Sequence, residues 1–422
     1  MKKELYDVYT EVLKKELIPA MGCTEPIAVA YASALAKELL AKEPDSVELT
    51  VSGNIVKNVK SVVVPNTEGR RGLKTAVAAG VCFGNPAGEL EVISHASDED
   101  RGRMIDFINN CPMIIRKSGS DNPFDIQVLL KAGDESAFVR IAGYHTNVVE
   151  KRKNGELLFS KEFEDKNIKV SPEKELLNVA DIYEYAKTVQ LSLVEETIQR
   201  QIDYNTKIAD YGLEHRCAAD IGHTLLEANP DSVKNRARAY AAAGSDARMA
   251  GCELPVIINS GSGNQGMTTS LPVIVYARDR GSSHEELIRA LTFANLITIH
   301  LKTGIGSLSA YCGATSAGIG AASGVNFLLG GSCEDIEHSI VNALGINSGM
   351  VCDGAKPSCS AKVASAIEAA ILGMQMHMRG YEFSAGDGII ADGVENTIAA
   401  VGDMARRGMR VTDDVIIEQM TR

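Results

Sequence analysis

The chain has 422 residues, 45% of them apolar and 23% charged, which suits a folded globular protein of two or three domains. Its 55 acidic and 43 basic residues give a net charge of −12, which disfavours nucleic acid or an anionic membrane as the main partner. The opening Met1-Lys2-Lys3-Glu4-Leu5 lacks the apolar run of a signal peptide, so a cytoplasmic location is expected.

Taken in chain order, the first 44 residues predict two helices around the loop Ala20-Met21-Gly22-Cys23-Thr24-Glu25-Pro26, because Pro26 favours a first helical turn. Strand-like runs follow at 47–51 and 59–64. Between 89 and 163 the pattern is mostly β, with strands expected at 90–93, 113–116, 126–130, 137–141, 147–151 and 157–160. One helix, 100–109, interrupts them, and Asn154-Gly155 marks a hairpin. A polar segment, 164–173, leads to a region where the helical period dominates. Helices are expected there at 176–187, 193–204, 218–228, 233–250, 284–301, 362–378 and 394–404.

The fold class expected is α+β: a mainly α-helical body with a smaller α+β subdomain. Residues 1–88 form the first part of that body, 89–171 the α+β subdomain, and 172–422 a mainly helical catalytic part. The stretch 303–333 carries no charge, long enough to span a bilayer, yet it is rich in Gly, Ser, Thr and Ala. It reads as buried inside protein, where small residues let backbones approach. Positions 244–354 hold 17 of the 38 glycines, which points to a ligand or close packing there.

Nine cysteines in a reducing compartment argue against structural disulfides. Cys312 lies in Tyr311-Cys312-Gly313-Ala314, and Cys352 and Cys359 bracket Asp353-Gly354-Ala355-Lys356-Pro357-Ser358. Thiolates are soft ligands for zinc, copper(I) or iron–sulfur clusters, although three buried thiols would be the plainer reading of spacing alone. The loop Ser260-Gly261-Ser262-Gly263-Asn264-Gln265-Gly266 offers successive N–H groups to an anion, or is a tight turn. It lacks the P-loop lysine and the dinucleotide-binding glycine spacing, so nucleotide binding is disfavoured. Cys23 sits at a predicted helix N-terminus, which would lower its pKa. Asn54 and Lys57, with Lys74, place amides and cations near strand ends, where lysine can grip a carboxylate.

Together Gly22-Cys23-Thr24-Glu25-Pro26, Gly53-Asn54-Ile55-Val56-Lys57-Asn58, Gly261-Ser262-Gly263-Asn264-Gln265-Gly266, Cys312-Gly313-Ala314 and the 352–359 loop resemble the L-cysteine desulfidase family. That family is related to the α chain of iron–sulfur L-serine dehydratases, and the five motifs occur in the expected order. The resemblance implies a [4Fe-4S] cluster on Cys312, Cys352 and Cys359, with Cys23 as the base or the alternative third ligand. A small amino-acid substrate needs donors for its carboxylate, expected from the 260–266 loop (Ser262, Gly263, Asn264 and Gln265), from Asn54 and Lys57, and from Thr24 beside Cys23. The implied reaction releases sulfide from cysteine, or water from serine, to leave pyruvate and ammonia. A non-catalytic metabolite- or cluster-binding protein is the reading from another class. No nucleic-acid or membrane partner is expected, and a homodimer is left open.

Overall fold

A computed structural model describes residues 3–163, 171–306 and 308–421. The expected separator at 164–173 therefore lies largely outside the described residues. The architecture is α+β, a helical body beside one mixed sheet.

Eight strands are present among the described residues: β1 (Pro19–Met21), β2 (Ser46–Val51), β3 (Met113–Lys117), β4 (Asp125–Ala132), β5 (Glu135–Ala142), β6 (Val148–Lys153), β7 (Glu156–Ser160) and β8 (Pro255–Ile257). Six form a sheet in the order β3-β2-β4-β5-β6-β7. β2 runs parallel to β3 and antiparallel to β4, and the remaining pairs are antiparallel. The 113–160 strands thus share their sheet with a strand from upstream. Alternation in β4 and β5 buries Ile126, Val128, Leu130, Ala137, Val139 and Ile141 on one face, against the Ala-rich helix Thr24–Leu40. Asn154 and Gly155 both have positive φ (51° and 84°), the backbone of a two-residue hairpin turn.

Two expected strands are absent. Residues 53–59 form a short helix, with Ser52 accepting from the Ile55 N–H at 3.4 Å, and beyond it only Val63 pairs, in a single bridge to Arg71. The run 90–93 falls at the end of a 3₁₀ turn, Pro86–Glu91, begun by Pro86 and by Asn85 accepting from the Ala87 N–H. In both places local capping outweighs the β-branched composition.

The helical body contains the expected helices, most with ends shifted by a few residues and one, Glu195–Glu214, ten residues longer at its C-terminus, and five the periodicity did not reveal: Leu73–Phe83, Gly263–Arg280, Gly313–Leu328, Cys333–Ile346 and Met409–Thr421. The helix Gly313–Leu328 explains the uncharged stretch. It is buried almost throughout and packs against helices Gly263–Arg280, His284–Thr303 and Cys359–His377. A Cβ on Gly318 would lie 2.7 Å from the Ala366 backbone, and one on Gly320 would lie 2.0 Å from Thr298 Oγ1. A helix apolar all round has no amphipathic signature. Among the described residues, no helix is long and apolar enough to cross a membrane.

Candidate active site

The antiparallel pairing of β1 with β8 joins loops 237 residues apart. Pro19 opposes Ile257 and Met21 opposes Pro255, which sets the Cys23 turn beside the loop 259–266. That loop is held from behind, because Asn259 Nδ2 donates to Asn295 Oδ1 at 2.9 Å and Gln201 Nε2 donates to the same oxygen at 3.0 Å. Thr24 Oγ1 donates to the Gly261 carbonyl at 2.9 Å. Ser262 and Gly263 begin the helix Gly263–Arg280, and a Cβ on Gly266 would lie 2.0 Å from the Ile257 carbonyl oxygen.

Arg248 crosses this junction. Its Nε donates to the Gly22 carbonyl at 3.0 Å and its Nη1 to Asn264 Oδ1 at 3.2 Å. A Cβ on Gly263 would lie 2.5 Å from Arg248 Nε, so glycine makes room for the guanidinium. The residue is 3% exposed, and among the described residues no carboxylate lies within ion-pair distance of it. A buried guanidinium without a counter-ion is costly unless something supplies one.

The thiols converge through backbone pairing. Tyr311 and Val351 form an isolated antiparallel bridge, with Cys312 N–H donating to the Met350 carbonyl at 2.8 Å and Cys352 N–H to the Ala310 carbonyl at 2.6 Å. The two side chains hydrogen-bond each other. That bond pulls Cys352 down to about 6, with the Lys57 and Lys362 charges assisting, and drives Cys312 well above the usual thiol range. Gly354, at φ 93°, turns the loop so closely over Lys57 that a Cβ would lie 2.3 Å from the Lys57 carbonyl oxygen. The turn brings Cys359 back to the pair, its Sγ 3.7 Å from the Gly354 carbonyl. Ser360 Oγ donates to Asp246 Oδ1 at 2.6 Å and anchors the start of helix Cys359–His377. All three cysteines are half-buried.

Cys23 packs in a small apolar cluster with Val62 and Met249, against which Ala355 and Cys359 lie. It is the N-cap of helix Thr24–Leu40 but makes no side-chain cap bond. The lowered pKa expected from the helix N-terminus is reversed: burial pushes the thiol up to about 12, Arg248 opposes the rise, and Glu25 and Cys359 add to it. Desolvation at 2% exposure outweighs the dipole.

Lys57 is buried and engaged. It forms an ion pair with Asp413 of the C-terminal helix and donates to the Cys352 carbonyl at 3.3 Å. Lys302 is also buried, and desolvation lowers it to about 8 despite the nearby Cys352 and Cys312 sulfurs, which raise it. Several buried acceptors have no hydrogen-bond partner among the described residues: Asn54 Oδ1, Asn58 Oδ1 and Gln265 Oε1, with His145 Nε2 and Thr315 Oγ1. Gln265 lies against Gly313, where a Cβ would come within 2.4 Å of its amide, and so sits beside Cys312. His145 reaches in from the β5–β6 connection and faces Gly261.

The five motifs singled out from the sequence thus lie around one junction. Arg248, Lys302 and His145 were not among the candidates. The available signal was modest: Arg248 lies five residues beyond the alanine run 241–243, and Lys302 follows the mostly aliphatic stretch 296–301. A charge in so apolar a context needs a polar destination.

Residues 89–418 match the model of the serine dehydratase alpha chain family, and the chain belongs to that family. A UPF0597 protein of Desulfitobacterium hafniense is 49% identical over 415 residues, covering 98% of this chain and 96% of the relative. A UPF0597 protein of Lachnoclostridium phytofermentans is 44% identical over 416 residues, covering 99% and 100%. One from Treponema denticola is 40% identical over 428 residues, covering 100% and 99%.

Proposed function

We propose that the protein is an L-cysteine desulfidase that converts cysteine to sulfide, pyruvate and ammonia with a [4Fe-4S] cluster on Cys312, Cys352 and Cys359. The observation that carries this reading is the convergence of three half-buried thiols beside a buried guanidinium that has no carboxylate partner among the described residues. The donor set is soft and suits iron–sulfur, and Lys57, Lys302 and Lys362 offset the thiolate charge. A [4Fe-4S] cluster with one iron free of protein ligands supplies, when bound, a Lewis acid for a departing β-substituent.

The chain's own residues supply the rest. Arg248 pairs with the substrate carboxylate, in reach of the Asn264 amide and the Thr24 turn. The unpartnered acceptors Asn54 Oδ1, Asn58 Oδ1 and Gln265 Oε1 suit the α-ammonium. Cys23 is the base that removes the Cα proton. Burial holds its thiol protonated in the free protein; the substrate ammonium beside it favours the thiolate, and the thiol proton leaves to solvent before the Cα proton is taken. Loss of that proton sends the electron pair into a Cα–Cβ double bond while the Cβ–S bond breaks toward sulfur. The aminoacrylate released tautomerises to an imine, which water hydrolyses to pyruvate and ammonia.

Apolar Val62, Met249 and Ala355 around Cys23 and Cys359 favour a sulfur leaving group over a hydroxyl, which would seek hydrogen-bond donors. Serine is the second substrate to test, since the family is that of the serine dehydratase alpha chain. The decisive experiment reconstitutes the protein anaerobically with iron and sulfide and assays pyruvate from cysteine and serine side by side. A brown protein with higher kcat/KM for cysteine is expected. Preference for serine would make it a dehydratase, and a colourless protein without turnover would leave a metabolite-binding role.

A further inference from the structure

A second group of metal-ligating side chains lies away from the thiols. His338 projects from helix Cys333–Ile346, His377 ends helix Cys359–His377, and Glu382 follows in the next loop. One donor atom from each lies within 4.8 Å of the other two. The imidazole rings are stacked, 5.0 Å between centroids and 8° from parallel. Both turn Nδ1 toward Glu382 Oε2, at 2.5 Å for His338 and 4.0 Å for His377.

The surroundings fix this arrangement. His377 Nε2 lies 3.1 Å from Asp335 Oδ1. Asp335 is itself held through Oδ2 by the Ser332 N–H at 2.8 Å and the Ser332 hydroxyl at 2.6 Å, the capping box of its helix. A histidine donating Nε2–H to a carboxylate presents its Nδ1 lone pair on the other side, the usual support of a metal-bound imidazole. The Glu382 backbone is pinned as well, because Asn342 Nδ2 donates to the Tyr381 carbonyl at 3.1 Å and Asn342 Oδ1 accepts from the Phe383 N–H at 2.9 Å.

We infer that His338, His377 and Glu382 form a binding site for a divalent cation of the zinc class, with Asp335 orienting His377. Two imidazoles and one carboxylate select a borderline metal over magnesium or calcium, which take oxygen ligands. Ligands around tetrahedral zinc lie about 3.4 Å apart, so metal entry opens the 2.5 Å His338–Glu382 contact and shortens the 4.0 Å His377–Glu382 separation. The metal would staple the loop after the helix Cys359–His377 to the end of that helix and to its antiparallel partner. Cys359 and His377 stand at opposite ends of this 19-residue helix, about 27 Å apart, so the site is independent of the thiol chemistry.

The test is equilibrium dialysis of zinc against the full-length chain, reconstituted anaerobically so that the thiols are occupied. Wild type should bind one more zinc per chain than H338A/H377A. E382Q, at an exposed position that leaves folding intact, and D335N should each weaken binding about 10- to 100-fold. Cobalt in the same site should add visible ligand-field bands, read as the difference from the cobalt-free protein, that H338A/H377A lacks. Equal zinc binding by wild type, H338A/H377A and E382Q would overturn the inference, as would a cobalt difference spectrum unchanged in the double variant.

Discussion

The Lys57 ammonium and the Asp413 carboxylate form an ion pair that is almost wholly withdrawn from solvent, and the same ammonium holds the Cys352 carbonyl at 3.3 Å. One lysine therefore ties the C-terminal helix Met409–Thr421 to the loop that carries two of the three convergent thiols. Removing one partner strands the other charge in the interior, which costs about 3–5 kcal/mol. Lys57→Met should lower stability in urea denaturation by that order. The double variant K57M/D413L should recover much of the loss, because no buried charge then remains.

Arg248 gives the sharpest test of substrate anchoring. Its guanidinium is buried, bonded to a carbonyl and an amide oxygen, and free of carboxylates among the described residues. Arg248→Lys loses the planar fork and should raise KM for cysteine about tenfold or more, with visible cluster absorbance unchanged. Unchanged KM would remove Arg248 from the substrate site.

Cys23→Ala separates base from ligand. Loss of pyruvate formation with cluster absorbance retained is the expected result. Loss of the absorbance would make Cys23 a ligand, and full turnover would return it to the apolar cluster in which it packs with Val62 and Met249.

Close approach predicts opposite outcomes at two glycines. A Cβ on Gly266 would meet the Ile257 carbonyl oxygen at 2.0 Å, backbone that cannot move aside, so Gly266→Ala should destabilise by about 1–3 kcal/mol or more. Gly102 in helix Asp98–Asn110 has nothing within 4 Å of such a Cβ. Gly102→Ala should be neutral or stabilise by up to about 1 kcal/mol, through helix propensity. Thermal melts of both variants check the pair.

Glu395 predicts a pH dependence. Burial alone would raise its carboxyl, but the hydrogen bond with His300 at 2.7 Å, their charge interaction and the Val179 N–H at 2.8 Å outweigh it and lower the pKa. A carboxylate depressed in the folded state contributes stability above its unfolded pKa of about 4.3 and loses it as pH falls through the folded value. Wild type should therefore melt above Glu395→Gln at pH 7, with the gap closing below about pH 4.

Much of the candidate site was legible because small residues and cysteines cluster in local motifs whose chemistry is readable in one dimension. Cys312, Cys352, Cys359, Cys23 and the 260–266 loop all lie at the junction. The charge of Cys23 was misread: the helix N-terminus is a local fact, whereas the burial that pushes the thiol up depends on Met249, Val62 and Cys359 packing over it.

The sequence by itself determined the α+β class, the hairpin at Asn154-Gly155 and the amphipathic helices, since each rests on periodicity or turn chemistry within a few residues. Only the tertiary structure decided the rest. Helix Gly313–Leu328 is apolar on every side and acquires its identity from neighbours that come within van der Waals contact of Gly318 and Gly320. Arg248, Lys302 and Asp413 become site residues through burial and long-range pairing, and the β1–β8 ladder sets one half of the cleft against the other. Contacts across 200 or more residues leave no local pattern, because what selects them is the burial of surface between segments that meet only when the chain folds.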